Sequence, residues 1–145
     1  MPGELVLHAS SVMIEGRVLL LAGQSGRGKS DLALRLIDRG AQLVSDDYTE
    51  LVARNGILYA SPPDRIAGQI EIRGVGIATM TYVFEGPVSL LLDLDNKPTR
   101  LPDDILPTTA LCGVKIPTLS FSAFETSAAI KAEQALLRRG LGTSP

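Results

Sequence analysis

The segment Gly23-Gln24-Ser25-Gly26-Arg27-Gly28-Lys29-Ser30 limits what this chain can fold into more than any other part of it, because it meets G-x-x-x-x-G-K-[ST] at every fixed position. A loop of this kind works only between a buried strand and a helix. Its glycines let the backbone curl so that N–H groups point inward at phosphate oxygens, and the following helix directs its positive end at the same place. The neighbouring sequence supplies both elements. Val18–Ala22 is an apolar run suited to a strand buried on both faces, and from Ser30 to Arg39 the residues Leu32, Ala33, Leu36 and Ile37 recur at helical spacing, with Gly40 as the stop. In that setting Lys29 neutralises the β- and γ-phosphates and Ser30 ligates magnesium, so the eight residues are expected to hold ATP, with Mg2+ on Ser30.

The remaining punctuation predicts an α/β chain with a mixed sheet that has an antiparallel hairpin portion. Leu5–Ala9 and Val12–Ile14 read as short strands, and Glu15-Gly16-Arg17 turns the chain into Val18–Ala22. Leu43-Val44 reads as a buried strand ending at Asp46-Asp47, and Glu50–Ala60 has β-rich arms around Arg54-Asn55-Gly56, where Asn-Gly favours a type I′ turn. Gln69–Ala78 is strand-like but interrupted by Gly74 and Gly76, and Val88–Leu94 is a further apolar strand. Asn96–Thr109, with three prolines and two acidic residues, is predicted as a mobile loop over a site. Two short strands, Val114-Lys115-Ile116 and Leu119–Phe121, lead into a last helix at about Ser127–Arg139, closed by Gly140.

With 145 residues, 45% of them hydrophobic, the chain can bury one core, and residues 1–145 are read as a single domain. The net charge of −2, from 14 basic and 16 acidic residues mixed along the chain, offers no positive field for nucleic acid or anionic lipid. The single cysteine, Cys112, excludes an internal disulfide and is read as a small buried residue. Met1-Pro2-Gly3-Glu4 lacks the start of a secretory signal and no apolar run could span a bilayer, so a cytoplasmic protein without a membrane partner is expected.

Phosphoryl transfer to a hydroxyl uses one carboxylate near magnesium and a second to accept the proton. Asp46-Asp47 directly follows the helix and its strand, and alternation along a strand would aim only one of the pair into a given cleft. Asp93 and Asp95 precede Asn96-Lys97-Pro98 and are read as turn residues. In Ile70-Glu71-Ile72-Arg73-Gly74, alternation puts Glu71 and Arg73 on one face, suited either to a metal-binding Glu and a phosphate-binding Arg or to a surface ion pair. His8, the only histidine, is undecided on chemistry alone.

Four pieces taken together resemble the catalytic domain of the HPr kinase/phosphorylase family: His8 fifteen residues before the loop, Gly23–Ser30, Leu43-Val44-Ser45-Asp46-Asp47, and Glu71-Ile72-Arg73-Gly74-Val75-Gly76-Ile77. The resemblance covers about residues 5–80. It implies a fold similar to the HPr kinase / phosphoenolpyruvate carboxykinase-like P-loop fold, a serine of the phosphocarrier protein HPr as substrate, and a homo-hexamer. It further implies Asp47 as proton acceptor (proton donor in the reverse phosphorolysis), His8 as its helper near the transferred phosphate, and Ser30 with Glu71 on magnesium. Asp46 and Arg73 accompany them, and Arg100 in Pro98-Thr99-Arg100-Leu101 is similar to a later catalytic arginine of the family.

The chain departs from the family in two places. The N-terminal domain of full-length members is expected to be missing, since His8 already stands near the start. Leu119-Ser120-Phe121-Ser122-Ala123-Phe124-Glu125 replaces a Pro-Gly-Arg-Asn stretch associated with dephosphorylation, which weakens the expectation of phosphorylase activity and of regulation by metabolites. The expected function is thus an ATP- and magnesium-dependent protein serine kinase; the rival readings are a small-molecule kinase with the same loop and a nucleotide-sensing module without turnover.

Overall fold

Strands begin almost at once in the computed structural model, which describes residues 4–142; the Met1-Pro2-Gly3 start, read above for a leader, lies outside them. Glu4–Leu7 (β1) and Ala9–Ile14 (β2) are separated by His8 alone, and β2 turns back into Arg17–Ala22 (β3). Glu15 and Gly16 take φ of 50° and 79°, the conformation a two-residue type I′ hairpin demands. The Gly23–Ser30 loop follows, then Lys29–Asp38 (α1), whose first residue is preceded by Gly28 at φ 91° and which ends before Gly40 at φ 111°.

Gln42–Ser45 (β4) leads to a hairpin of Thr49–Arg54 (β5) and Ile57–Ser61 (β6), turned by Asn55 and Gly56 at φ 53° and 78° as the Asn-Gly pair predicts. Gln69–Ile72 (β7) and Gly76–Thr79 (β8) form a separate two-stranded sheet, so the glycine-interrupted segment is a hairpin rather than one strand. Gly86–Asp93 (β9), Thr108–Leu111 (β10), Val114–Ser120 (β11) and Ala128–Arg139 (α2) complete the chain.

The main sheet has nine strands with the path β1-β5-β6-β9-β3-β2-β4. β9 lies parallel to β3, from Val18↔Val88 to Ala22↔Asp93. On its other edge it pairs first with β6, antiparallel, and then with β11, parallel, so the sheet forks and curls there. The parallel strands β3, β9 and β11 end on one edge, and β2 is inserted antiparallel between β3 and β4. This is the mixed α/β sheet with an antiparallel portion that the sequence predicts.

Alternation along β3 builds a core on each face. Leu19 and Leu21 join Leu90 and Leu92 under α1 (Leu32, Ala33, Leu36) and α2 (Ala128, Ala132, Leu136). Val18 and Leu20 point the other way, where Leu51, Leu58, Ala60 and Ile116 of the curled sheet close over them. Alanines along α2 let it settle closely on the sheet, and Arg39, which caps the end of α1, grips Glu133 of α2 with two hydrogen bonds of 3.0 and 2.9 Å.

Three expectations need correction. The loop expected over Asn96–Thr109 ends earlier, because Thr108 and Thr109 begin β10, which pairs with β11 from Thr108↔Pro117 to Leu111↔Val114. β11 is one strand rather than two, because Pro117 falls where pairing passes from β10 to β9 at Thr118↔Leu91 and so breaks nothing. Cys112 is half-buried in the β10–β11 turn at φ 52°; burial, then the nearby Glu4 carboxylate, pushes its thiol pKa up.

Gly86 opens β9 with no room for a side chain: a Cβ there would lie 2.8 Å from Cγ2 of the fully buried Val18 and would collide with the Met13 thioether. Gly86→Ala should therefore lower stability by about 1–3 kcal/mol, read as a lower urea midpoint; an unchanged midpoint would mean that Met13 and Val18 yield freely.

Candidate active site

A bay of about 340 Å3 opens over the Gly23–Ser30 loop and the start of α1. Ser25, Gly26, Gly28, Lys29 and Ser30 form one wall, Asp47 stands at one end, and Glu71, Ile72 and Arg73 of the β7–β8 hairpin face the loop. The loop, the β4 turn and the hairpin thus meet although they are far apart in sequence.

Lys29 is 5% exposed, and its Nζ donates to the Gly23 carbonyl at 2.7 Å and the Gln24 carbonyl at 3.2 Å. An ammonium has three protons to donate, so one remains for a group in the bay. Among the described residues no carboxylate lies within 4.0 Å of it. A buried charge without a counter-charge is costly, so an anion in the bay would suit the donor that remains.

Behind the bay lies Asp46, 7% exposed. Its Oδ1 accepts hydrogen bonds from Ser10 Oγ at 2.9 Å and Ser30 Oγ at 2.6 Å, and its Oδ2 accepts the Glu71 N–H at 3.0 Å. Ser10 Oγ in turn accepts the Asp47 N–H at 3.0 Å. Asp47 lines the bay itself, with φ of 70° and a side chain that is 52% exposed. The two aspartates are separated not by strand alternation, as the sequence suggested, but because β4 ends at Ser45 and Asp47 enters the left-handed region. A non-glycine residue held there by its surroundings is the kind of strain found at functional sites.

His8, in the one-residue break between β1 and β2, donates from Nε2 to Asp47 Oδ1 at 2.8 Å. Its ring stacks on Tyr48 with centroids 5.0 Å apart and planes 20° off parallel. Asp95 braces the loop from outside the bay: its Oδ1 accepts the Gln24 N–H at 3.0 Å and lies 3.3 Å from Arg27 Nε. Asp93 holds the following turn through the Asp95 N–H and the Asn96 amide, as read from sequence.

Thus the structure brings Lys29, Ser30, Asp47, Glu71 and Arg73 to one bay, with Asp46 behind it and His8 on Asp47. It does not bring Arg100 there. Arg100 lines a separate groove of about 710 Å3 between the proline-rich segment and α2, beside Arg138 and Arg139. Sequence reasoning missed Ser10 and Tyr48; a serine pair inside the apolar β2 was the available signal for the first, and nothing local marked the second.

Among the described residues no three His, Cys, Asp or Glu side chains form a metal cage. Magnesium needs none, since it keeps several waters and is bound through one or two carboxylates and substrate phosphates. The Ser30 hydroxyl, already held by a buried carboxylate, and the Glu71 side chain on the bay fit that requirement.

The family described as HPr Serine kinase C-terminal domain matches residues 2–89. The chain is 40% identical over 78 residues to an HPr kinase/phosphorylase of Clostridium botulinum (strain Eklund 17B / Type B), which covers 54% of this chain and 26% of that protein. It is 38% identical over 97 residues to the HPr kinase/phosphorylase of Geobacillus sp. (strain WCH70), covering 61% of this chain and 31% of that one. The chain therefore spans only a minor part of the length of these relatives. Over nearly its whole length it superposes on the solved structure of the Hpr(Ser) kinase/phosphatase from Coxiella burnetii, with a TM-score of 0.79, 31% identity, and coverage of 92% of this chain and 94% of that one.

Lys29→Met tests whether the buried ammonium serves a ligand or the fold. The melting temperature is expected to stay or rise by a few degrees, while tripolyphosphate binding measured by calorimetry weakens by about 10–100-fold. Lost stability with unchanged binding would make Lys29 a structural residue.

Proposed function

Because the chain belongs to the family of the HPr serine kinase C-terminal domain, we propose that residues 1–145 act as one catalytic domain of an ATP- and magnesium-dependent kinase that phosphorylates a serine of HPr. The observation that carries this reading is that one bay holds both a buried ammonium with no carboxylate partner among the described residues, Lys29, and a half-exposed carboxylate, Asp47. The first suits a phosphate; the second suits the proton of an incoming hydroxyl.

In this mechanism the inward N–H groups of the Gly23–Ser30 loop and the third proton of Lys29 hold the phosphates, and Gln24, Ser25, Gly26, Arg27 and Gly28 shape the loop around them. Ser30 and Glu71 hold magnesium, with Asp46 fixing the Ser30 hydroxyl from behind. When bound, magnesium neutralises charge on the β- and γ-phosphates. Arg73, which lines the bay, supplies a guanidinium to balance charge on the transferred group. Asp47 takes the proton from the substrate serine as its oxygen attacks in line, and His8, with Tyr48 behind it, keeps the carboxylate in position. In the reverse direction the same carboxylate returns the proton. Arg100 joins only if the proline-rich segment moves from its groove beside α2 to the bay.

The same reading places the protein in the cytoplasm with HPr, as a homo-oligomer. No described helix is long and apolar enough to cross a membrane, and the net charge of −2 gives no reason to expect nucleic acid.

Incubation with labelled ATP, magnesium and HPr should place phosphate on an HPr serine. Asp47→Asn should slow transfer by about 10²–10⁴-fold while ATP affinity stays close to that of the native chain. Equal rates for the two proteins would remove Asp47 as the base, and unlabelled HPr in the presence of tightly bound ATP would favour another acceptor or a nucleotide sensor.

A further inference from the structure

A nucleotide whose phosphates rest on the Gly23–Ser30 loop must put its base on something outside the phosphate bay. Among the described residues the bay lining contains no aromatic ring, and its two apolar side chains, Leu34 and Ile72, are already packed against the core. Bases are held at protein surfaces by stacking on exposed aromatic faces, which serve any base because every base has a π-face.

Phe124 meets that need at the adjoining position. Its side chain is 69% exposed, yet its ring lies against the loop: a Cβ placed on Gly28 would be 3.3 Å from Phe124 Cε1 and 3.7 Å from Cζ. Gly28 also lines the bay, so one residue touches both the phosphate site and the ring. The segment is not free to wander. Phe121 and Ala123 are buried on either side of Ser122, and Arg35 of α1 donates to the Ala123 and Glu125 carbonyls.

Topology supports the same placement. Phe124 follows β11, which is parallel to β9, as β9 is to β3, and the Phe121 N–H donates to the Asp93 carbonyl at 3.0 Å. The segment carrying the ring and the Gly23–Ser30 loop therefore leave the same edge of the sheet, the edge at which open α/β sheets bind their ligands.

We infer that the exposed face of Phe124 is the platform on which the base of the bound nucleoside triphosphate stacks. The ring makes no contact with the reacting phosphate; it positions the nucleotide and sets the preference for a triphosphate that carries a base. Gly28 is required for the same arrangement, because a side chain there would come within 3.0 Å of Ala123 Cβ and displace the ring-bearing segment.

The inference rests on the proposed nucleotide-dependent activity, and calorimetry with the magnesium complexes of ATP and of inorganic tripolyphosphate separates the two. The native chain should bind ATP more tightly than tripolyphosphate. Phe124→Ala should weaken ATP binding about tenfold and leave tripolyphosphate binding unchanged, whereas Phe124→Tyr should keep the native preference. Equal binding of the two ligands by the native chain, or an unchanged or parallel response of both to Phe124→Ala, would overturn the platform while leaving nucleotide use intact. Binding of neither ligand by the native chain would overturn the proposed activity and the platform with it.

Discussion

The buried carboxylate of Asp46 is the interaction on which the rest of the site depends. Taking an anion out of water costs several kcal/mol unless its oxygens are satisfied, and here the satisfying donors come from three separate segments: Ser10 on β2, Ser30 on α1 and the Glu71 N–H on β7. Because each donor has one place it can stand, the carboxylate fixes the glycine loop, the β4 turn and the β7–β8 hairpin relative to one another. Lys29 then faces Glu71 and Arg73 across the bay, and the Ser10 hydroxyl, held by Asp46, receives the Asp47 N–H that fixes the neighbouring carboxylate in its left-handed turn. One buried charge thereby organises both sides of the bay, the one proposed to hold phosphate and the one proposed to accept the proton.

The sheet makes that meeting possible. In a simple α/β repeat the strand after α1 would lie beside β3; here β2 is inserted antiparallel between β3 and β4, which brings Ser10 alongside the β4 turn. The break after β1 that holds His8 then falls next to Asp47, where Tyr48 gives the imidazole a surface to lie on. On the opposite flank, the fork at β9 lets β11 run parallel beside it and deliver the segment that carries Phe124. Two cores, one under the helices and one inside the curl of the sheet, hold these edges rigid.

The parts legible in the sequence are those where the backbone itself is specified. The glycine pattern, the Asn55-Gly56 turn and the period of α1 all follow from local conformational rules, and the structure has each of them. The family signature around Glu71 placed a second segment at the site without any knowledge of distance. What was illegible depends on contacts far apart along the chain. Strand alternation could not separate Asp46 from Asp47, because the strand ends at Ser45, before either of them. Val114-Lys115-Ile116 and Leu119–Phe121 read as two strands, and only the change of partner from β10 to β9 explains how one strand runs through Pro117. Tyr48 carries no local signal, since its role is defined by a ring forty residues away. Arg100 shows the converse: a matching short motif did not fix where its loop rests.

The most direct test is a crystal structure with a non-hydrolysable ATP analogue and manganese in place of magnesium, located by its anomalous signal. The account predicts a triphosphate in the loop, the metal bound to Ser30 Oγ, the Glu71 carboxylate and phosphate oxygens, Asp46 still holding the Ser10 hydroxyl and the Glu71 N–H, and Asp47 facing the γ-phosphate. A metal bound away from Ser30, or an Asp46 carboxylate that has left both Ser10 and Glu71, would contradict it.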